Sequence, residues 1–199
     1  MLKKNQNYNF LILGFLSITL SYSPFLYFAF LYIDDYLYLF PKIGASENYN
    51  NYYTIENFYR YFHNIARPLT AHLVLIQQIF IENIQIAKLF RFLSIILITI
   101  IFYLFFIYFV EKEFSKRDSF FISFSIISLP TFNLSIAWLT LQQTLLSTIF
   151  AILSFFIIKN ISKINSYKNL GKICFSIILS NFSIQLYPVA SMFFFIFYF

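Results

Sequence analysis

FLILGFLSITLSYSPFLYFAFLYI, residues 10–33, is a run of 24 residues without a single charge. At about 1.5 Å of rise per residue, a helix of that length exceeds the roughly 30 Å thickness of the hydrocarbon core of a bilayer. Lys3 and Lys4 precede the run, and Asp34 and Asp35 follow it directly. Ser21-Tyr22-Ser23 imitates the small-residue cleavage site of a secretory leader, but Pro24 follows it and the apolar run goes on to Ile33. The segment is therefore expected to be an uncleaved first span, kinked near Pro24.

The rest of the chain points the same way. Of its 199 residues 60% are hydrophobic and only 11% charged, against roughly a quarter charged in soluble domains. A globule of this size has too little interior to hide that much apolar surface, so lipid is expected to cover it. The net charge of +6 comes from short basic clusters between long apolar runs and makes no continuous stripe. That pattern argues against a nucleic-acid partner and reads as topology signals. Cys174 is the one cysteine and lies in an apolar run, which leaves no disulfide framework and no cysteine-based metal site.

Outward from the first span, residues 34–83 form a mixed polar and aromatic loop holding five of the eight acids, Asp34, Asp35, Glu47, Glu56 and Glu82. Within it Arg67-Pro68 opens an expected helix with proline at its first position. Leu69, Leu73, Ile76 and Phe80 share one face of that helix, with Thr70, Gln77 and Gln78 elsewhere, the pattern of an amphipathic helix on a membrane surface. A second span is expected over 84–110, ending in the charged cluster EKEFSKRD at 111–118. The 40 residues from Ser119 to Ile158 are mostly apolar but carry Pro130, Asn133, Gln142 and Gln143 in the middle. Four lysines, at 159, 163, 168 and 172, precede a last apolar run that reaches Phe199.

Lys and Arg stay on the cytoplasmic side. Lys3, Lys4, Lys112, Lys116, Arg117, Lys159, Lys163, Lys168 and Lys172 make nine on one side; Lys42, Arg60, Arg67, Lys88 and Arg91 make five on the other. Both basic clusters flanking the stretch 119–158 are then cytoplasmic, and an even number of crossings must separate them. That stretch is expected to be a hairpin with its turn between Pro130 and Gln143. The fold expected is all-α, a polytopic membrane protein with five spans over about 10–33, 84–110, 119–137, 139–158 and 173–199. Its amino terminus is inside and its large acidic loop faces outward.

Asp34 and Asp35 are the first candidates for chemistry. Carboxylates at the end of a span are costly unless solvated or paired, and so mark a function by default; the alternative is that they end the helix at the interface, although acids there oppose the helix dipole. Arg67 sits at the mouth of the amphipathic helix, where a guanidinium either grips a phosphate with two hydrogen bonds or anchors to lipid headgroups. Arg60 and His63 share that stretch and that ambiguity, and His72 reads as an interfacial polar residue. Neither histidine has metal-ligand spacing with an acid or the cysteine. Gln142, Gln143 and Asn133 are amides inside an apolar hairpin, serving either helix-to-helix hydrogen bonds or substrate contact. Tyr187-Pro188 is either a functional kink or a tolerated proline.

Taken in order, these pieces resemble the start of a type C membrane glycosyltransferase, in particular the O-antigen glucosyltransferases that use a polyprenyl-phosphate-linked sugar. The resemblance is carried by Asp34-Asp35-Tyr36, by Ala66-Arg67-Pro68-Leu69, by LPTFNLSIAWLTLQQ (129–143) and by IQLYPVASMFFF (184–195). Departures are Ala66 where members usually have glycine, glutamines where many have an acid, and Pro188 where glutamine usually follows the tyrosine. Members are also much longer, so the chain is expected to correspond to an amino-terminal part. The resemblance implies hexosyl transfer at the outer face of a bacterial inner membrane, with Asp35 as general base and Asp34 orienting it. Arg67, Arg60, His63, Gln143 and Tyr187 would bind substrate. The partners implied are membrane lipid, a polyprenyl-phosphate sugar and a glycan acceptor of the cell envelope, with no cofactor and no metal, the donor being already activated. The alternative from another class is a non-enzymatic multispan protein such as a flippase for lipid-linked sugars, or an inactive truncated fragment.

Overall fold

The computed structural model describes residues 2–27, 60, 63–64, 67–80, 84–137, 139–159, 161 and 167–191. Asp34, Asp35 and most of the loop 34–83 lie outside the described residues. Every element among the described residues is helical. The chain divides into two compact units, one made of residues 1–32 and 83–142, the other of 33–82 and 143–199.

In the first unit α1 (Leu2–Tyr22) runs into a short α2 (Pro24–Tyr27), followed after the loop by α4 (Ile84–Glu111), α5 (Lys116–Ile127), α6 (Pro130–Ala137) and one 3-10 turn (Leu139–Leu141). The second unit holds α3 (Pro68–Phe80), α7 (Gln142–Ile158, of which Gln142 belongs to the first unit), α8 (Tyr167–Leu186) and α9 (Pro188–Ser191).

Two helical stretches, Asn9–Tyr27 and Ile86–Glu111, are long and apolar enough to cross a membrane. A third is added if α5 and α6, bent by 57° at their break, act as one. Of the expected spans, 84–110 falls on the second stretch and the described part of 10–33, up to Tyr27, on the first. The region 119–137 is the bent pair, and 139–158 is a 3-10 turn plus the 17-residue α7. Where the last was expected, over 173–199, the helix Tyr167–Leu186 ends before Tyr187 and is not among the stretches long and apolar enough to cross, and residues 192–199 lie outside the described residues.

The faces of these helices are those of a membrane protein. α4 exposes Leu89, Phe92, Leu93, Ile96, Ile100 and Tyr103 along one side. Its other side buries Arg91, Ser94, Ile95, Ile98 and Phe102. α8 is more extreme: Phe175, Ile178 and Phe182 are exposed, whereas Ser176 and Ser183 are buried. A helix in water arranges these types the other way round, so this side of α8 suits an apolar surrounding.

The core of the first unit is aromatic. Phe102 stacks on Phe106 with ring centroids 6.2 Å apart and meets the edge of Phe120 at 5.6 Å. Phe10 of α1 adds a ring 6.3 Å from Phe106. Gly14 lets α1 approach, since a Cβ at that position would overlap the Phe102 ring. The expected kink near Pro24 is a break at Ser23, which separates α1 from α2. The second break, before Pro130, frees carbonyls at the end of α5. The Ile127 carbonyl accepts from the Tyr22 hydroxyl at 2.7 Å, and Asn133 Nδ2 donates to the Ser128 carbonyl at 3.4 Å. Asn133 thus serves the backbone of its own bend.

The charged cluster between α4 and α5 is a built turn. Glu113 takes the left-handed conformation at φ 66°. Its N–H donates to the Val110 carbonyl, and the Phe114 N–H reaches back to the Phe109 carbonyl, both at 3.2 Å. The Phe109 and Phe114 rings then meet edge to face at 5.7 Å. This is a complete Schellman stop in which glutamate occupies the place usually held by glycine. Ser115 restarts the chain as the cap of α5, its hydroxyl accepting from the Asp118 N–H at 3.1 Å and donating to the Asp118 carboxylate at 2.6 Å. Since a left-handed residue with a Cβ is disfavoured by about 1 kcal/mol, Glu113→Gly is expected to raise the thermal midpoint by roughly 2–4 °C. Glu113→Val should lower it, both read by circular dichroism in detergent.

Candidate functional site

The second unit is organised by hydroxyls. α7 and α8 run antiparallel and meet through two reciprocal serine pairs. Ser147 Oγ donates to the Ser183 carbonyl at 2.8 Å, and Ser183 Oγ donates to the Ser147 carbonyl at 2.8 Å. Two turns further along α7, Ser154 Oγ donates to the Ser176 carbonyl at 2.8 Å and Ser176 Oγ returns the bond at 3.0 Å. Ser154 Oγ also lies 2.7 Å from Ser180 Oγ. The small side chain lets the backbones approach closely enough for hydroxyl and carbonyl to exchange bonds, which is how helices associate where lipid offers no hydrophobic drive.

The same register carries toward the start of α7. Gln143, buried and one turn before Ser147, falls level with Tyr187, where α8 ends. Pro188 has no N–H to continue α8, so carbonyls in the last turn lose their helical donors. Two hydroxyls from other helices take them up. Thr70 Oγ1, fully buried on α3, donates to the Leu186 carbonyl at 2.5 Å. Ser147 Oγ lies 3.0 Å from the Tyr187 carbonyl, so its one proton is shared between this carbonyl and that of Ser183, 2.8 Å away.

The break turns Tyr187 against Arg67. The guanidinium carbon lies 4.2 Å from the centre of the Tyr187 ring, a cation–π stack. Arg67 caps α3 through its backbone, its carbonyl accepting from the N–H groups of Thr70 at 3.1 Å and Ala71 at 3.4 Å. Pro68 then occupies the first helical position as expected. Arg67 is half-buried, and its Nε is buried with no hydrogen-bond partner among the described residues. A guanidinium at the amino end of a 13-residue helix adds a full charge to the positive end of the helix dipole. The arrangement suits an anion with several oxygens, such as a phosphate.

α3 packs on α8 with a face other than the one its apolar pattern selects. Thr70, Ala71, Val74 and Gln77 are buried, whereas Ile76 and Phe80 are exposed and Leu69 and Leu73 half-exposed. The physical reason is that of α8: against a lipid exterior, small and polar residues form the protein contact and large apolar ones turn outward. His72 is on the exposed side.

The structure thus brings Arg67 and Tyr187 together and puts Gln143 at the same end of the unit. Arg60 and His63 are exposed on the segment before α3. Gln142 does not share its neighbour's setting: in the first unit its Nε2 donates to the Phe90 carbonyl at 2.5 Å and to Ser94 Oγ at 2.6 Å. Asp34 and Asp35 lie outside the described residues. Thr70, Ser147 and Ser183 are missed by a reading that looks for charge. The signal that finds the two serines is the seven-residue spacing of Ser147 with Ser154 and of Ser176 with Ser183, two matching intervals on antiparallel helices; Thr70 has no such signal. Among the described residues no group of three or more His, Cys, Asp or Glu is placed to hold a metal ion.

No family model, no curated protein and no solved structure matches the chain.

The hydroxyl of Thr70 is the part of this site most open to a stability test. Thr70→Val keeps the shape but leaves the Leu186 carbonyl without that donor, and is expected to cost about 0.5–2 kcal/mol. Thr70→Ser should stay within about 0.5 kcal/mol of the parent. Unfolding with dodecyl sulfate in mixed micelles, followed by circular dichroism, gives both numbers.

Proposed function

We propose that this chain acts as a membrane glycosyltransferase that takes its sugar from a polyprenyl-phosphate donor. The observation that supports this reading is Arg67, a half-buried guanidinium held face-on by Tyr187 at a helix amino end, with Nε unpartnered among the described residues. In the reaction an acceptor hydroxyl oxygen bonds to the anomeric carbon while the bond from that carbon to the phosphate oxygen breaks. The electron pair leaves on the phosphate, where Arg67 stabilises the charge. The hydroxyl proton passes to Asp35, with Asp34 orienting the carboxylate or the acceptor. A lipid-linked donor fits a protein whose helices turn apolar faces outward. Five crossings with the amino terminus inside remain part of this proposal, supported by the count of basic residues and by the lipid-type exterior of α8. So do the outer face of a bacterial inner membrane as location, and an envelope glycan such as O-antigen as acceptor.

The second reading is a carrier for lipid-linked sugars. Arg91 favours it, being fully buried within the apolar stretch Ile86–Glu111 with Nη1 3.4 Å from the Phe25 carbonyl. A buried cation inside a span marks a functional site by default.

Sugar transfer from a polyprenyl-phosphate donor, measured in membranes containing the full chain, separates the two. Asp35→Asn is expected to lose about 100-fold or more of the rate, the usual share of a general base. Asp34→Asn should lose less, and Arg67→Ala should fall with Asp35→Asn. Full activity in both aspartate variants would sink the assignment. Movement of the lipid-linked sugar across vesicles without transfer would establish the carrier instead.

A further inference from the structure

We propose that Tyr187 is a positioning residue, which fixes the guanidinium of Arg67 through the face of its ring and not through its hydroxyl, and that the break at Pro188 exists to present that face. The inference deepens the reading of Arg67 as the phosphate-holding side chain and takes its functional meaning from it. An arginine side chain has four rotatable bonds, and a site that must meet a phosphate in one orientation needs those bonds held. Around Arg67 the backbone holds nothing beyond the first atoms: its carbonyl is engaged by Thr70 and Ala71, and Nε has no hydrogen-bond partner among the described residues. What lies against the guanidinium is the face of the Tyr187 ring, its centre 4.2 Å from the guanidinium carbon. A π-face orients a planar cation while leaving its N–H groups in plane and available to an anion.

The position of that ring is itself fixed at the backbone. Tyr187 stands between α8 and α9. Its N–H still completes the helix to the Ser183 carbonyl at 3.0 Å, while its own carbonyl shares the Ser147 hydroxyl at 3.0 Å and that of Leu186 accepts from Thr70 at 2.5 Å. The Thr70 bond and the Ser147 contact hold the backbone on either side of the Tyr187 nitrogen, and the break they hold aims the ring.

The test uses the purified full chain in detergent and reads Arg67 without relying on activity. Phenylglyoxal forms an adduct with accessible guanidinium groups, and the rate at Arg67 is followed by peptide mass spectrometry. Tyr187→Leu removes the face and is expected to speed modification by between about 2-fold and about 30-fold, the range that a cation–π contact spans. Tyr187→Phe keeps the face, the fold and the backbone bonds, and should react at the parent rate. An unchanged rate in Tyr187→Leu overturns the proposal. Equal acceleration in Tyr187→Leu and Tyr187→Phe also overturns it, by making the hydroxyl the holding group. Farnesyl phosphate, titrated into the same preparations by calorimetry, tests the underlying reading separately. Binding unaffected in Arg67→Ala removes the phosphate role of Arg67, and the modification rates still decide whether Tyr187 positions it.

Discussion

In a lipid medium every backbone carbonyl that loses its helical partner must find another donor inside the protein, because no water is there to supply one. This chain breaks its helices at prolines, and at the breaks before Pro130 and Pro188 hydroxyls from distant helices take up carbonyls, whereas at Pro24 the Ser23 hydroxyl serves its own helix. Tyr22 serves the end of α5 over 105 residues of sequence, and Thr70 serves the end of α8 over 116. Each such bond ties a loop end to another helix, so the bends become fixed points of the structure. Without the hydroxyls the same prolines would leave carbonyls buried and unpaired, at a cost of several kcal/mol each.

The serines extend that logic from breaks to whole helices. α7 and α8 exchange hydroxyl-to-carbonyl bonds at two levels seven residues apart, and only a small side chain allows the approach. Bonds of this kind average about 0.6 kcal/mol in membranes, so no one of them holds the pair. Their value lies in register. Matching levels at Ser147–Ser183 and Ser154–Ser176 fix where α8 stands along α7, and hence where Tyr187 stands relative to Gln143 and Arg67. A shift by one residue would carry the serines off the seam and expose apolar residues to it.

The candidate site follows from this framework. Arg67 and Tyr187 are 120 positions apart in the chain, and a proline break, a threonine and a serine bring them face to face. The loop between α4 and α5 shows the opposite strategy, being closed by its own residues. Glu113 accepts an unfavourable backbone conformation while the Phe109–Phe114 contact and the Ser115 cap offset it locally. Turns in the polar region have water as a fallback; the breaks before Pro130 and Pro188 recruit remote partners instead.

What the sequence by itself determined is the helical, membrane-type character, the long apolar helical stretches now seen over Asn9–Tyr27 and Ile86–Glu111, the helix opening at Pro68, and the breaks near Pro24 and Pro130. All of these rest on local signals, the length of apolar runs and the missing proline N–H. It also singled out Arg67, Gln143 and Tyr187 as candidates, because charge, amide and proline stand out against an apolar background. Only the tertiary structure decided that Arg67 stacks on Tyr187, that Gln142 and Gln143 belong to different units, and that α3 buries Thr70 and Gln77 instead of its large apolar residues. Those outcomes depend on which carbonyls lack donors and on which helix lies within reach to supply them. Neighbouring residues in the chain carry no trace of that, since the donors arrive from a hundred residues away.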